Sequence, residues 1–353
     1  MDELQFKAAP MGAIETQQTW EAPSNIALIK YWGKYGEQLP KNPSLSLTLS
    51  QCVTQTNIQI TPRTKSQTPL FDFYFEGQRK PTFNSKIEVF LNRILPYCPW
   101  VLEHHLKIHS QNTFPHSSGI ASSASAMAAL ASGLVAVENL AEDKAAIKAS
   151  FLARLGSGSA ARSVNGPLMV WGAYQEVSAS SNHFAVSLPE ADYHPVFKSY
   201  RDTILLIDQG QKQVSSSKGH QLMENHPFAE ARWNQANNHM KTLLMALKEG
   251  DLERFMTVVE AEALSLHGLM MTATPGFILM HPNTLAVLQQ VWAFRKESGL
   301  PLCFTLDAGA NVHLLYPKKQ AAEIEQWIKG NLAVFCQRGE MIHDKVGTGA
   351  KKV

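Results

Sequence analysis

An apolar run, Phe304-Thr-Leu-Asp307, ends in an aspartate that stands before Ala-Gly-Ala-Asn311. A carboxylate fixed at such a turn can accept a proton from a substrate hydroxyl, or orient that hydroxyl toward phosphorus. Its plainer reading is a turn aspartate bonded to its own backbone. Far upstream, Pro115-His-Ser-Ser-Gly-Ile-Ala-Ser-Ser-Ala-Ser125 is a glycine-serine loop before an alanine-rich stretch. A helix opening there would aim free N–H groups and its positive dipole end at the loop, making an anion cradle. Pro115, Ser117, Ser118, Gly119, Ala121, Ser122, Ser123 and Ser125 are the cradle candidates, with Ser122 as a hydroxyl ligand for a divalent cation. The alternative is a serine-capped core helix. No Gly-x-x-x-x-Gly-Lys-Ser/Thr string occurs, which argues against a P-loop.

Cations complete the set. Lys30 and Lys34 flank Tyr31-Trp32-Gly33, close to Asn25, and suit a polyanionic substrate. Gly156-Ser-Gly-Ser-Ala-Ala161 imitates a dinucleotide fingerprint, but the residues before it are patterned as a helix where that motif needs a strand. A tight loop presenting Ser157, Ser159 and Arg162 fits better, and Arg162 can grip a carboxylate with two parallel hydrogen bonds. Ser215-Ser-Ser-Lys218, including Ser217 and Lys218, is a second phosphate clamp by composition. The thirteen histidines contain no His-Glu-x-x-His or comparable zinc pattern, and only His116 adjoins the anion loop. Together the segments point to phosphoryl transfer onto an anionic substrate.

These residues must be positioned by mixed elements. Residues 44–49, 56–60 and 71–75 alternate like strands, 85–95 has helical spacing, and 106–110 alternates again. Residues 122–140 and 145–154 are expected helices, and 167–172 a buried strand. A new unit begins near Tyr200 with a strand at 203–208. Helices follow at 228–248, 251–267 and 282–298, with Asp251 as N-cap and Gly299 as a stop, then a helix at 322–330. Strands and helices without regular alternation predict an α+β protein of two domains, 1–197 and 198–353.

With 353 residues, 44% hydrophobic, the chain exceeds the roughly 250–300 at which one core stops growing. A net charge of +2 predicts no nucleic-acid partner, and no apolar run reaches the ~18 residues of a membrane span. Four scattered cysteines and an opening without signal-peptide character fit a reducing cytoplasm. The first twenty residues read as a loose arm or an added edge strand. A serine hydrolase is disfavoured, since no Gly-x-Ser-x-Gly elbow appears.

The combination of Asn25-Ile-Ala-Leu-Ile-Lys-Tyr-Trp-Gly-Lys34, Gly156-Ser-Gly-Ser-Ala-Ala-Arg-Ser163 and Asp307-Ala-Gly-Ala-Asn311 resembles the GHMP kinase superfamily, and within it the diphosphomevalonate decarboxylases. The resemblance spans roughly residues 22–316. It implies a ribosomal-protein-S5-domain-2-like N-terminal domain and a ferredoxin-like C-terminal domain with the site between them. It implies ATP and Mg²⁺, 3-phosphorylation of mevalonate 5-diphosphate, then loss of phosphate and CO₂ to give isopentenyl diphosphate for isoprenoid synthesis. In that reading Asp307, Arg162 and Lys34 are catalytic, with Asp307 handling the 3-hydroxyl and Arg162 the carboxylate. Ser122 and Ser123 serve the ATP phosphates and metal, with Ser159 nearby. Lys30, Tyr31, Trp32, Lys34, Ser217 and Lys218 serve the substrate, with Asn25 in support. A homodimer is also implied. Lys218 stands where some bacterial members carry arginine, and lysine lacks arginine's fork. Alternatives are a phosphomevalonate decarboxylase, a mevalonate 3-kinase, or a non-catalytic ligand sensor of the same fold.

Overall fold

The computed structural model describes residues 3–64, 70–115, 120–210 and 216–353. The first unit is built on two long strands, β1 (Thr16–Ile29) and β2 (Ser44–Pro62), paired antiparallel. The expected strands at 44–49 and 56–60 are therefore one continuous strand. Polar positions such as Gln51 interrupt its alternation, and the register against β1 shifts between Pro23 and Asn25 and again between Ala27 and Ile29. Beyond β2 lie β3 (Phe71–Phe75) and β4 (His104–Asn112), which pair in parallel, with β4 against β2. Helices α1 (Asn84–Ile94), α2 (Ser122–Ala136) and α3 (Glu142–Gly156) pack over this sheet in one apolar core that includes Ile58, Phe90, Leu130 and Phe151. Strands β5 (Leu168–Trp171) and β6 (Ala185–Ser187) extend it from the other end of β2.

Glu3 and Phe6 are docked, so this part of the expected arm is not loose. Phe6 stacks on Phe151 with ring centroids 4.2 Å apart. Glu3 accepts from the Tyr97 hydroxyl (2.7 Å) and pairs with buried Arg154 (3.1 Å). Arg154 also donates to the Glu37 carbonyl, which ties the arm to the turn beyond Lys34.

The second unit carries β7 (Arg201–Leu205), α4 (Ala229–Glu249), α5 (Leu252–Met271), α6 (Pro282–Ser298), β8 (Cys303–Thr305), β9 (Val312–Tyr316), α7 (Ala321–Asn331) and β10 (Met341–Lys345). Its antiparallel sheet runs β8-β9-β7-β10. The expected terminators act as written: the Asp251 side chain accepts from Arg254 N–H (3.0 Å), and Gly299 closes α6 with a left-handed φ of +71°. The two units share a core in which Ile26, Leu28 and Leu45 meet Met240, Leu243 and Phe255. Asp344 of β10 accepts the N–H groups of Ser50, Gln51 and Cys52, each at 2.8 Å, across the boundary. The chain then crosses back. Gly347 N–H donates to Thr48 O and Ala350 N–H to Val164 O, both at 2.8 Å, and β11 (Lys351–Lys352) pairs with β1. Among the described residues no helix is long and apolar enough to cross a membrane.

Candidate active site

The end of β1 carries the first motif to the place where the two units meet. Lys30 follows the last residue of β1 and is 2% exposed. Its ammonium donates to Ala27 O (2.6 Å) and to Asp307 Oδ1 (3.1 Å). Lys30 is therefore not a solvated surface lysine. Asp307 comes from the opposite unit, in the turn between β8 and β9 that the sequence predicted. Burial pushes the Lys30 ammonium below its ordinary value, against the opposing pull of Asp307.

Arg162 arrives from the 3₁₀ turn Gly158–Ser163 that follows α3. It is buried, donates to Asn25 Oδ1 (3.3 Å) and Ser44 Oγ, and lies over the Trp171 ring. Burial pushes its guanidinium down to about 10, with the Asp307 carboxylate acting the other way. It therefore stays charged at neutral pH. Asn25 fastens the turn from the other side, donating to Ser163 Oγ (2.8 Å) and to the Ser159 carbonyl (3.3 Å). The small residues of this turn have a steric reason: a Cβ on Gly158 would lie 2.9 Å from both the Trp171 ring and the Tyr31 hydroxyl.

Tyr31 packs between Trp171 (4.7 Å between centroids) and His220 (4.3 Å). Its hydroxyl is buried and has no hydrogen-bond partner among the described residues, and burial pushes the phenol far above its ordinary range. Trp32 is held in an apolar cluster with Met270 and Ala308, so it anchors the Asp307 turn to the motif. Gly33 has φ +94°, a conformation that favours glycine. Its N–H donates to His220 Nδ1 (3.0 Å). Lys34 opens a short hairpin and donates to Gln38 Oε1 (3.0 Å). Its ammonium is shifted down by burial and by the nearby Arg93 charge.

At the anion loop, Ser24 Oγ donates to Ile120 O (2.6 Å) and fixes the approach to α2. Ala121 is left-handed (φ +43°), and among the described residues no side chain caps the helix, which leaves backbone N–H groups of its first turn for an anion. Ser122 and Ser123 border a pocket whose apolar wall includes Phe73, Phe83, Ile108 and Met127. Ser123 Oγ is 3.4 Å from Ser157 Oγ, linking this loop to the Arg162 turn. Ser125 differs from its expected place. Its side chain is fully buried and bonded to Thr54 Oγ1 (2.6 Å), one turn inside the helix, where it packs α2 on β2. Pro115 is partly buried at the loop's start. Ser117, Ser118, Gly119 and the Ser217 side chain lie outside the described residues. Lys218 is exposed on the short helix Ser216–Gln221.

Four neighbours escape motif reading. His220 is buried against Tyr31 and Trp32, and burial together with Lys34 pushes it down to about 3, so it is neutral. His267 Nε2 sits 3.1 Å from the Asp307 carbonyl and is pushed down to about 4 by burial. Glu262 and Arg232, from α5 and α4, form a buried ion pair behind Lys30. Glu262 and Arg232 each lie in an ordinary helical stretch, and only the pairing of α4 with α5 makes them part of the site.

Two anionic functions are thus provided for: a helix start with serines and no side-chain cap among the described residues, and a carboxylate paired with buried Lys30, whose charge also reaches buried Arg162, where the two units meet. That fold and site define an enzyme of the GHMP kinase fold. Residues 22–183 match the family model of the diphosphomevalonate decarboxylase-like N-terminal domain, and residues 203–350 that of the mevalonate 5-diphosphate decarboxylase C-terminal domain. The chain belongs to the diphosphomevalonate decarboxylase family. It is 29% identical over 331 residues to diphosphomevalonate decarboxylase mvd1 of Aspergillus fumigatus, covering 89% of this chain and 80% of that one. It is 26% identical to the phosphomevalonate decarboxylase of Haloferax volcanii, covering 85% and 88%. Among solved structures, mevalonate diphosphate decarboxylase from Staphylococcus aureus superposes with a TM-score of 0.82 at 28% identity, over 96% of this chain and 98% of that one. A chain called MDDEF, solved in complex with MVAPP, AMPPCP and magnesium, gives 0.81 at 30% identity over 96% and 99%.

Proposed function

We propose that the chain catalyses ATP-dependent decarboxylation of mevalonate 5-diphosphate, giving isopentenyl diphosphate, ADP, phosphate and CO₂ in the mevalonate route to isoprenoids. The observation that carries it is the meeting of Asp307 with Lys30, and with Arg162 close behind, across the cleft. Asp307 accepts a hydrogen bond from the substrate's 3-hydroxyl and turns that oxygen toward the terminal phosphoryl group of ATP; as the new oxygen–phosphorus bond forms, ADP leaves and the hydroxyl proton passes to Asp307. Orientation of this kind is worth ~7–11 kcal/mol, more than one hydrogen bond supplies. A tertiary hydroxide is a poor leaving group and its phosphate a good one. When the phosphate departs, the electron-poor carbon draws the C–CO₂⁻ bonding pair, and CO₂ leaves as the double bond forms. Arg162 holds the carboxylate beforehand. In this reading Tyr31, Lys34 and Lys218 are the groups that would meet the diphosphate.

The start of α2 fits ATP phosphates because no side chain caps it among the described residues, and the apolar wall beside Ser122 and Ser123 fits the adenosine end. The Ser122 hydroxyl is the group that would hold Mg²⁺, whose charge would offset the phosphate oxygens. We also propose a division into domains near Tyr200, a cytoplasmic location consistent with four buried free thiols, and a homodimer, for which light scattering is the test.

The deciding experiment measures ADP and CO₂ with ATP, Mg²⁺ and mevalonate, its 5-phosphate or its 5-diphosphate. Equal ADP and CO₂ with the diphosphate alone is the expected result. Equal release with the monophosphate alone would make it a phosphomevalonate decarboxylase. ADP without CO₂ would make it a 3-kinase, and binding without turnover a sensor.

A further inference from the structure

Lys30 is held by its backbone as well as by its ammonium. Its N–H donates to Glu262 Oε2 (2.7 Å), and its carbonyl accepts from Arg232 Nη2 (3.2 Å) and from Asn42 Nδ2 (3.0 Å). Glu262 and Arg232 are themselves paired through both oxygens of one and both terminal nitrogens of the other, with Arg232 Nη1 to Glu262 Oε1 at 2.7 Å. His239 Nδ1 adds a contact to Glu262 Oε1 at 2.6 Å. The side chains of Glu262 and Arg232 are 0% and 1% exposed. One ion pair therefore grips both polar groups of a single peptide residue, just beyond the end of β1, whose last ladder pair is Ile29 with Leu45. Burial raises the carboxyl of Glu262, but His239, Arg232 and the Lys30 N–H outweigh it and hold the group below its ordinary value, so it is ionised.

A buried ion pair is weak evidence for stability as such, because well-packed apolar residues often do as well. This one does something apolar residues cannot, since it supplies an acceptor and a donor to the same backbone. We propose that Glu262 and Arg232 are positioning residues that fix the Lys30 backbone, and through it the Lys30–Asp307 pair, without touching substrate. The inference rests on Asp307 acting on the substrate hydroxyl.

The test is a double-mutant cycle read by steady-state ADP release with mevalonate 5-diphosphate. Glu262→Gln is expected to lower kcat by about 10–100-fold, the scale of one hydrogen bond to a charged group. KM for ATP and for the substrate should stay within about twofold, since neither is touched. In a Lys30→Met background the same change should cost less than about twofold, because its effect passes through Lys30. An equal further loss in that background would overturn the proposal, as would a raised KM with unchanged kcat. If Glu262→Gln does not fold, the paired change Glu262→Met with Arg232→Met removes both charges together. It should unfold near the wild-type temperature yet show the same loss of kcat, and wild-type kcat in it would overturn the proposal. Asp307→Asn serves as the reference. Inactive Asp307→Asn with fully active Glu262→Gln sinks the positioning role alone, whereas full activity in Asp307→Asn sinks both readings.

Discussion

Asp307 is about a quarter exposed, open enough to meet a substrate hydroxyl, while its Lys30 partner is sealed at 2%. The asymmetry matters. The cation is out of water and cannot drift, so the carboxylate it holds is pre-aimed. Asp307→Asn keeps the shape and loses the charge and the basic oxygen. It is expected to lower kcat by about 10²–10⁴-fold, the range of a positioned acid or base, with ATP affinity by calorimetry near wild type. Arg162→Lys keeps a charge but gives up the fork that spans Asn25 and Ser44. Its expected signature is uncoupling, with ADP release retained better than CO₂ release, measured on one reaction by parallel assays. Equal loss of both products would contradict a carboxylate-holding role.

The elements that carry these residues approach each other closely through glycine. A Cβ on Gly219 would lie 2.5 Å from the Trp32 ring, and Gly158 meets Trp171 and Tyr31 almost as tightly. Gly219→Ala should displace the Trp32–His220–Tyr31 stack and cost about 1–3 kcal/mol of stability, seen in urea unfolding, together with a raised KM for the substrate. At this scale much was readable in advance. The Asp307 turn, the helix before Gly156 and the caps at Asp251 and Gly299 follow from local chemistry, and the structure has them in place. The left-handed Ala121 and the buried Ser125 were not readable, because Ser122, Ser123 and Ser125 look alike until the helix phase is known. Nor were Glu262, Arg232 and His220. Glu262 and Arg232 have ordinary helix residues beside them in sequence, His220 follows a segment read only for its serines and lysine, and their partners lie up to 232 positions away, as for Lys30 and Glu262.

For the molecule as a whole, stability should depend on acid through two histidines. His220 and His267 are pushed down to about 3 and about 4 by burial, from an ordinary value near 6.5. Below that value the unfolded chain takes up protons that the folded one refuses. Their contribution is thus complete above about pH 6.5 and is lost as pH falls toward about 4 and then 3. Thermal unfolding should show a melting temperature that declines over this window, and His267→Gln should flatten the decline. A slope unchanged by that substitution would assign acid sensitivity elsewhere. The boundary between the units offers a second test. Asp344 accepts three backbone N–H groups of β2 and one of its own strand. Asp344→Ala leaves those donors without it, at about 1–3 kcal/mol for each one that water does not reach.

The return of residues 346–353 to the first sheet has a consequence for how the protein is made. Gly347 and Gly349 thread so close to Leu49 and Val164 that a Cβ on either would come within 2.3 Å of a carbonyl oxygen. These residues leave the ribosome after all the others described, yet the strand they join, β1, is among the first to emerge. During synthesis the exposed edge of β1 must wait for a partner on the far side of the second unit. A nascent chain stalled before Val346 should therefore remain sensitive to protease along Thr16–Glu21, and release of the completed chain should protect it.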